Sequence, residues 1–423
     1  MISTDLARPQ PLGVFPLPAG YLLIDGDDAT RDELRAELVA GRRPASFADD
    51  LAWYERALDG DLDGALVLID KRVAEAADAP STIDLLNQFV LAPDAQRLAA
   101  LRALELGPVL RCHLDTLAFV TGLEVEPPTP LQVDAEGIDG EFAAAALAAW
   151  ATRELERHDT AAAIDTLERA AQVANEVSRP LAGQLLGQLA NVQLDEGGAQ
   201  RAQVTFDAAL DALAETDLAL SRADLHLAVG AMLQERKEAA PRLIQAAIDH
   251  YHQALALVTQ ESAPDTWAIA NANLGLAYLT APMHEATDQL RVGVAVQSMR
   301  GALEVFSPTH LPDRWSSTQL NLANALVYMP SKHQADNIAE AIGLYEGVLQ
   351  HRTRHSDPQG RARVLANQGN ALAHLGVFDD AKAKLHEARS LFEEFGETDA
   401  VQTVRMVLDE IAKQESIVRQ DRS

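Results

Sequence analysis

Ala362-Arg363-Val364-Leu365-Ala366-Asn367-Gln368-Gly369-Asn370-Ala371-Leu372-Ala373-His374-Leu375-Gly376, followed at once by Val377-Phe378-Asp379-Asp380-Ala381-Lys382-Ala383-Lys384-Leu385-His386-Glu387-Ala388, is the stretch on which the fold turns. Gly369, Ala381 and Ala388 are spaced by 12 and then 7, and Leu385 follows the middle alanine by four. Ala190, Ala202 and Ala209 repeat the spacing with Phe206 as the large residue, and Ala151, Ala163 and Ala170 do so with Leu167. Small residues let two helices of a hairpin approach closely where they cross, and the large one fills the neighbouring groove.

Three further stretches keep the second half of the pattern: Ala247, Tyr251, Ala254; Ala295, Met299, Ala302; and Ala341, Tyr345, Val348. Each is a stripe at i, i+4, i+7, the buried face of an amphipathic helix. Their upstream small residues are Gly230, Gly275 and Ala323, at intervals of 17, 20 and 18, so the helices or the turns are longer there. A single hairpin cannot cover its own apolar faces, so such units must stack.

The pattern resembles the tetratricopeptide-repeat superfamily. The cleanest copy is 362–395, where Gly369, Leu372, Gly376, Ala381, Leu385 and Ala388 fall on that family's motif. Copies at about 144–177 and 183–216 keep its length, and those at about 223–261, 268–308 and 316–355 are stretched. The resemblance covers about 141–417. It implies an all-α, right-handed superhelix (a solenoid) of antiparallel helix pairs: six pairs over 141–396 and a capping helix at 397–417. The tail Arg419-Gln420-Asp421-Arg422 follows.

Residues 1–130 form a separate or capping region of mostly helical character. Pro9, Pro11, Pro16 and Pro18 mark an irregular leader. Helical patterns follow near 29–40, 45–58, 62–77, 81–90 and 94–121. Glu126-Pro127-Pro128-Thr129-Pro130 then breaks helix and marks the boundary. Segments such as Tyr21-Leu22-Leu23-Ile24-Asp25 and Asp49-Asp50-Leu51-Ala52-Trp53-Tyr54 suit either a cap on the first repeat or a docking module. Pro264-Asp265-Thr266-Trp267 and Pro312-Asp313-Arg314-Trp315 read as helix starts, because proline fits the first turn and aspartate favours the positive end of the dipole. Their tryptophans are expected between hairpins.

Composition narrows the function. The 423 residues carry 63 Asp and Glu against 35 Lys and Arg, a formal net charge of −28, with 48% hydrophobic and 5% aromatic residues. Such a field repels phosphate backbones, so nucleic acid is not the expected partner. One cysteine, Cys112, excludes an intramolecular disulfide. The start Met1-Ile2-Ser3-Thr4-Asp5 lacks a secretory pattern, and no apolar run has the length of a membrane span. These features lead to an expectation of a cytoplasmic protein without membrane insertion.

In arrays of this kind the first helix of each pair lines the inner side. Those helices carry Asn273, Asn321, Asn324, Asn367 and Asn370, with Asn191 in an earlier copy. Asn273, Asn321 and Asn367 fall at one place in three successive repeats, and Asn321/Asn324 and Asn367/Asn370 are i,i+3 pairs that share a face. An amide has both donor and acceptor, so a row of them can pair with the backbone of an extended chain. Related tetratricopeptide proteins use asparagines in this way, and the resemblance implies it here. Equally, the amides could bond only to neighbouring helices. Arg363 is placed to enter the same groove beside Asn367.

Other chemistry is thinner. The basic run His351-Arg352-Thr353-Arg354-His355 with Arg361 could hold an acidic segment, or could offset a helix dipole. His351 and His355 have the i,i+4 spacing of a metal pair but lack the intervening acid. Cys112-His113 lacks companion ligands, and Asp25-Gly26-Asp27-Asp28 lacks the closing glutamate of a calcium loop. No phosphate-cradling glycine loop, nucleophile elbow or triad is legible, so no metal, cofactor or catalytic residue is assigned.

The expected role is a non-enzymatic scaffold or assembly chaperone that binds an extended segment of another protein. The alternatives are an enzyme with its catalytic groups in the N-terminal region and a self-associating structural protein, since a homo-oligomer is compatible with the sequence. Pro282-Met283, Asp288-Gln289-Leu290-Arg291, Ala295-Val296-Gln297-Ser298 and Ser317-Thr318-Gln319-Leu320-Asn321 also resemble repeat proteins that accompany bacterial high-affinity nickel–iron hydrogenases. That resemblance implies a hydrogenase subunit as client and a role in its assembly or maturation.

Overall fold

A computed structural model describes residues 6–76, 80–236, 241–281, 288–329 and 331–421. The described residues are all-helical, with no strand among them. They divide into two compact units, 1–228 and 229–423.

In the first unit, seven helices precede the repeats: α1 (Ala29–Val39), α2 (Ala52–Leu58), α3 (Leu62–Glu75), α4 (Thr82–Leu91), α5 (Ala95–Arg102), α6 (Pro108–Val120) and α7 (Pro130–Ala135). The helix expected over 94–121 is two helices. Gly107 caps α6 and Pro108 occupies its first turn, where a missing N–H costs nothing. The pattern at 45–58 becomes helical only from Ala52, after a 3-10 turn at Asp49–Leu51. Immediately after the proline-rich break, Thr129 and Gln132 form a capping box that starts α7.

The paired helices follow: α8 (Gly140–Glu156) with α9 (Thr160–Asn175), and α10 (Arg179–Asp195) with α11 (Ala199–Leu213). The division falls within α12 (Ala219–Glu235). The second unit continues with α13 (Pro241–Leu257), α14 (Pro264–Thr280) with α15 (Asp288–Val305), α16 (Pro312–Tyr328) with α17 (Gln334–His351), α18 (Pro358–His374) with α19 (Phe378–Glu394), and α20 (Thr398–Asp421). Side chains beyond Ile417 lie outside the described residues, and with them the charged tail.

Each first helix starts four residues ahead of the repeat boundary read from the sequence, and all six are 17 residues long. The stretched copies therefore owe nothing to their first helices. Their extra residues lie in the connectors and in one more turn at the start of the second helix.

The crossings have the expected chemistry. Ala163, Ala170, Ala202, Ala209, Ala247, Ala254, Ala341, Ala381 and Ala388 are wholly buried, as are Phe206, Tyr251 and Met299 between their small neighbours. A Cβ on Gly369 would lie 2.7 Å from Leu385 Cγ, and one on Gly275 would lie 2.8 Å from Met299 Cγ. On Gly230 it would come within 2.5 Å of Tyr251 Cε1. The glycines are there because the large residue of the partner helix occupies the space of their missing side chain.

Trp267 and Trp315 both join a core with Ala268, Ala302 and Phe306, between successive pairs. Proline opens α14 and α16 as expected, with Asp265 and Asp313 in their first turns. Val401, Val404 and Ile411 of α20 close the core formed by α16 to α19.

The N-terminal region shares one core with the first repeat: Leu22, Leu23, Ile24, Phe89 and Leu117 pack in the same cluster as Phe142, Ala143 and Ala146 of α8. Ser178 Oγ donates to Val39 O at 2.7 Å, and Asp217 N to Gly41 O at 2.9 Å. Of the two possibilities open in the sequence, the described residues of 6–120 are thus packed onto the first pairs.

Candidate partner-binding surface of the second unit

Five asparagines of the second unit sit on α14, α16 and α18 at fixed offsets from the crossing residue. Asn273, Asn321 and Asn367 stand two residues before Gly275, Ala323 and Gly369; Asn324 and Asn370 stand one residue after. Extending that helical period gives a stripe on α16 of Arg314, Ser317, Asn321, Asn324 and Tyr328. On α18 it gives Arg363, Asn367, Asn370 and His374.

The two stripes meet. Tyr345 Oη, on α17, donates to Asn324 Oδ1 at 2.7 Å, and Asn367 Nδ2 donates to the same oxygen at 3.0 Å. Asn370 Nδ2 donates to Tyr328 Oη at 3.0 Å, and the Tyr328 and His374 rings stand edge to face with centroids 6.5 Å apart. Burial pushes the Tyr345 phenol well above its ordinary pKa, so it remains a donor throughout the physiological range.

Asn324 Nδ2 and Asn367 Oδ1 are left without a partner among the described residues. Asn273 and Asn321 are half-buried, and their amides make no hydrogen bond within that set. Asn191 belongs to the first unit, and its Nδ2 turns back on its own helix to Gly187 O at 3.1 Å. Arg363 is 65% exposed one turn before Asn367, with Nη2 3.6 Å from Glu397 Oε1.

Two features escaped the sequence reading. Tyr345 was legible only as a large crossing residue, whereas its hydroxyl holds Asn324. Tyr328 is 68% exposed, and its signal was the i+4 step from Asn324. A third feature emerges once helix bounds are known. None of the residues 266–280, 314–328 and 358–374 is Asp or Glu, in a chain with 63 of them. Apart from Asp265 and Asp313 in the first turns of α14 and α16, the helical acids of these three pairs lie on the second helices, including Glu304, Asp336, Glu340, Glu346, Asp379 and Glu387.

The basic run is consumed locally. Arg352 Nε donates to Ser316 Oγ at 2.9 Å, Arg354 pairs with Glu394 at 2.7 Å, and Arg361 pairs with Glu387 at 3.0 Å. His351 stands edge-on to Trp315, centroids 4.7 Å apart. Among the described residues no three His, Cys, Asp or Glu side chains converge as metal ligands, and no helix is long and apolar enough to cross a membrane. Cys112 is buried, and burial pushes its thiol up to about 12, far from the range of a nucleophilic cysteine.

No family model and no curated protein matches the sequence. Solved structures similar to the chain include the apo form of RapI, at 14% identity over 87% of this chain and 97% of that one, with a TM-score of 0.48. A Rap protein complexed with competence and sporulation factor is similar at 13% identity over 86% and 96%, TM-score 0.42. A tetratricopeptide repeat protein from Parabacteroides merdae is similar at 15% identity over 66% and 96%, TM-score 0.38. By the geometry of its own crossings, each unit is built of consecutive helix pairs that pack small residues against large ones, with further helices ahead of the pairs in the first unit.

Proposed function

We propose that this protein is a scaffold or assembly chaperone that binds an extended segment of another protein along the α14, α16 and α18 face of its second unit. The observation that carries this reading is the amide pair. Asn324 offers a free N–H and Asn367, bonded to it, offers a free C=O. Side by side, they complement the C=O and N–H of a peptide backbone. Tyr345 fixes the Asn324 amide before any partner arrives, so less side-chain freedom is lost on binding. Asn273 and Asn321 extend the same chemistry along the face, and Arg363 and the exposed Tyr328 ring flank it.

The absence of carboxylates beyond the first turns of these helices favours a neutral or acidic segment, since a basic one would find little counter-charge along the face. The likeness of 288–298 and 317–321 to proteins that accompany nickel–iron hydrogenases makes a hydrogenase subunit the first client to try; residues 282–287 of that likeness lie outside the described residues.

The test is affinity capture followed by titration of the recovered partner. Asn321→Ala with Asn367→Ala should weaken binding roughly 10- to 30-fold, at on the order of 1 kcal/mol for each lost hydrogen bond. Unchanged affinity in a folded double variant would move the binding site elsewhere.

A further inference from the structure

Residues 8–24 of the first unit make contacts of a kind expected of a bound ligand. Arg8 Nε and Nη2 donate to Oε1 and Oε2 of Glu141 on α8, at 3.0 and 2.9 Å, and Gln10 N donates to the same Oε1 at 3.0 Å. Glu141 is 1% exposed, and these are its only partners among the described residues. At the other end, Leu23 N donates to Asn87 Oδ1 at 2.7 Å, while Asn87 Nδ2 donates to Leu23 O at 2.8 Å. Asn87 is wholly buried and uses its amide on nothing else in that set.

Between these anchors the segment lies against α10. Gln184 Nε2 donates to Val14 O at 3.1 Å, and a Cβ on Gly13 would meet Leu181 Cδ1 at 2.8 Å. Counting six residues back from each crossing residue, Gln184 corresponds in the repeat to Ser317 and Arg363. Leu12, Val14, Leu22, Leu23 and Ile24 are fully buried. The segment also closes on itself: Ile24 N donates to Gln10 Oε1 at 2.9 Å, Gln10 Nε2 to Ile24 O at 3.0 Å, and Gly13 N to Gly20 O at 2.7 Å. Its four prolines lower the entropy of the free segment.

Removing this segment would strip the Glu141 carboxylate and the Asn87 amide of every partner they have among the described residues, at the cost of those hydrogen bonds. The helices of the first unit therefore specify an occupant: a guanidinium for Glu141, a backbone N–H and C=O for Asn87, and apolar side chains between. We infer that the first unit is itself a peptide-binding module, whose ligand is the chain's own Arg8–Ile24 segment held in cis. The covalent link adds effective concentration to a complex already complete in its contacts. This inference does not depend on the function proposed for the second unit.

The experiment cuts the link in the full chain. A protease site is placed in the exposed turn Gly26-Asp27-Asp28, and the cleaved protein is passed through gel filtration. The N-terminal fragment should co-elute with the helical remainder. A labelled synthetic peptide of residues 6–26 should then exchange into it, displaced by unlabelled peptide, whereas an Arg8→Ala peptide should compete at least tenfold less well. Asn321→Ala with Asn367→Ala in the protein should leave this exchange unchanged, separating it from binding at the second unit. The inference is overturned if the fragment leaves and the peptide does not rebind, or if the fragment departs only with loss of the helical signal. It is equally overturned if the bound fragment never exchanges, or if the Arg8→Ala peptide competes like the original.

Discussion

Asn367 donates from Nδ2 to Oδ1 of Asn324, 3.0 Å away across two successive first helices. The same oxygen accepts from Tyr345, so a buried tyrosine sets the orientation of an amide on the candidate surface. Tyr345→Phe removes only that hydroxyl. It should cost about 1 kcal/mol of stability and weaken partner binding as well, although Tyr345 itself is buried. Urea unfolding and partner titration of the same variant check both effects.

Gly369 and Gly343 make an opposed pair. An added Cβ at Gly369 meets Leu385 Cγ at 2.7 Å and Ala381 O at 3.2 Å, whereas nothing lies within 4 Å at Gly343, exposed in the middle of α17. Gly369→Ala should destabilise by about 1–2 kcal/mol through overpacking. Gly343→Ala should stabilise by roughly 0.5–1 kcal/mol through helix propensity. Thermal unfolding of the two variants should move in opposite directions.

Acid should loosen the first unit through His113. The imidazole is buried between Tyr21 and Phe142, with ring centroids 6.4 and 5.5 Å away and Nε2 unpaired, and burial lowers its pKa to about 4. The unfolded chain takes up this proton near 6.5 and the folded chain only near 4. Stability is therefore complete above about 6.5 and is lost as pH falls through that window, by about 2 kcal/mol between pH 7 and 5. His113→Leu should remove that share of the pH dependence in urea titrations. An unchanged slope would contradict the assignment.

The arginines after α17 should prove expendable for binding. Arg354 is exposed and paired with an exposed Glu394, so Arg354→Ala should change stability by no more than about 0.5 kcal/mol. Partner affinity should stay at the wild-type level. A large loss of affinity would restore the basic run as a recognition element.

Legibility followed the range of the physical signal. The crossings were readable because a small residue, a large one and another small one at helical spacing encode a local contact, and Gly369 with Leu385 realises it. The break at Gly107-Pro108 was passed over because the apolar pattern continues through it. The asparagines were visible as a repeated residue type, but their partners were not. Asn367 and Asn324 are 43 residues apart, and nothing in either local sequence announces that one amide will bond the other. Tyr21–Asp25 left two roles open for the same reason: Asn87, which binds Leu23, lies 64 residues away.

The sequence alone determined that this is a helical repeat chain, because hairpin packing is a matter of side-chain bulk at fixed short spacing. It also determined where proline starts a helix, because ring geometry acts on the adjacent backbone. Only the tertiary structure decided which amides remain free, that Tyr345 orients Asn324, and that Glu141 and Asn87 hold the chain's own leader. Those outcomes depend on which distant polar groups become neighbours, and burial then requires each of them to find a partner.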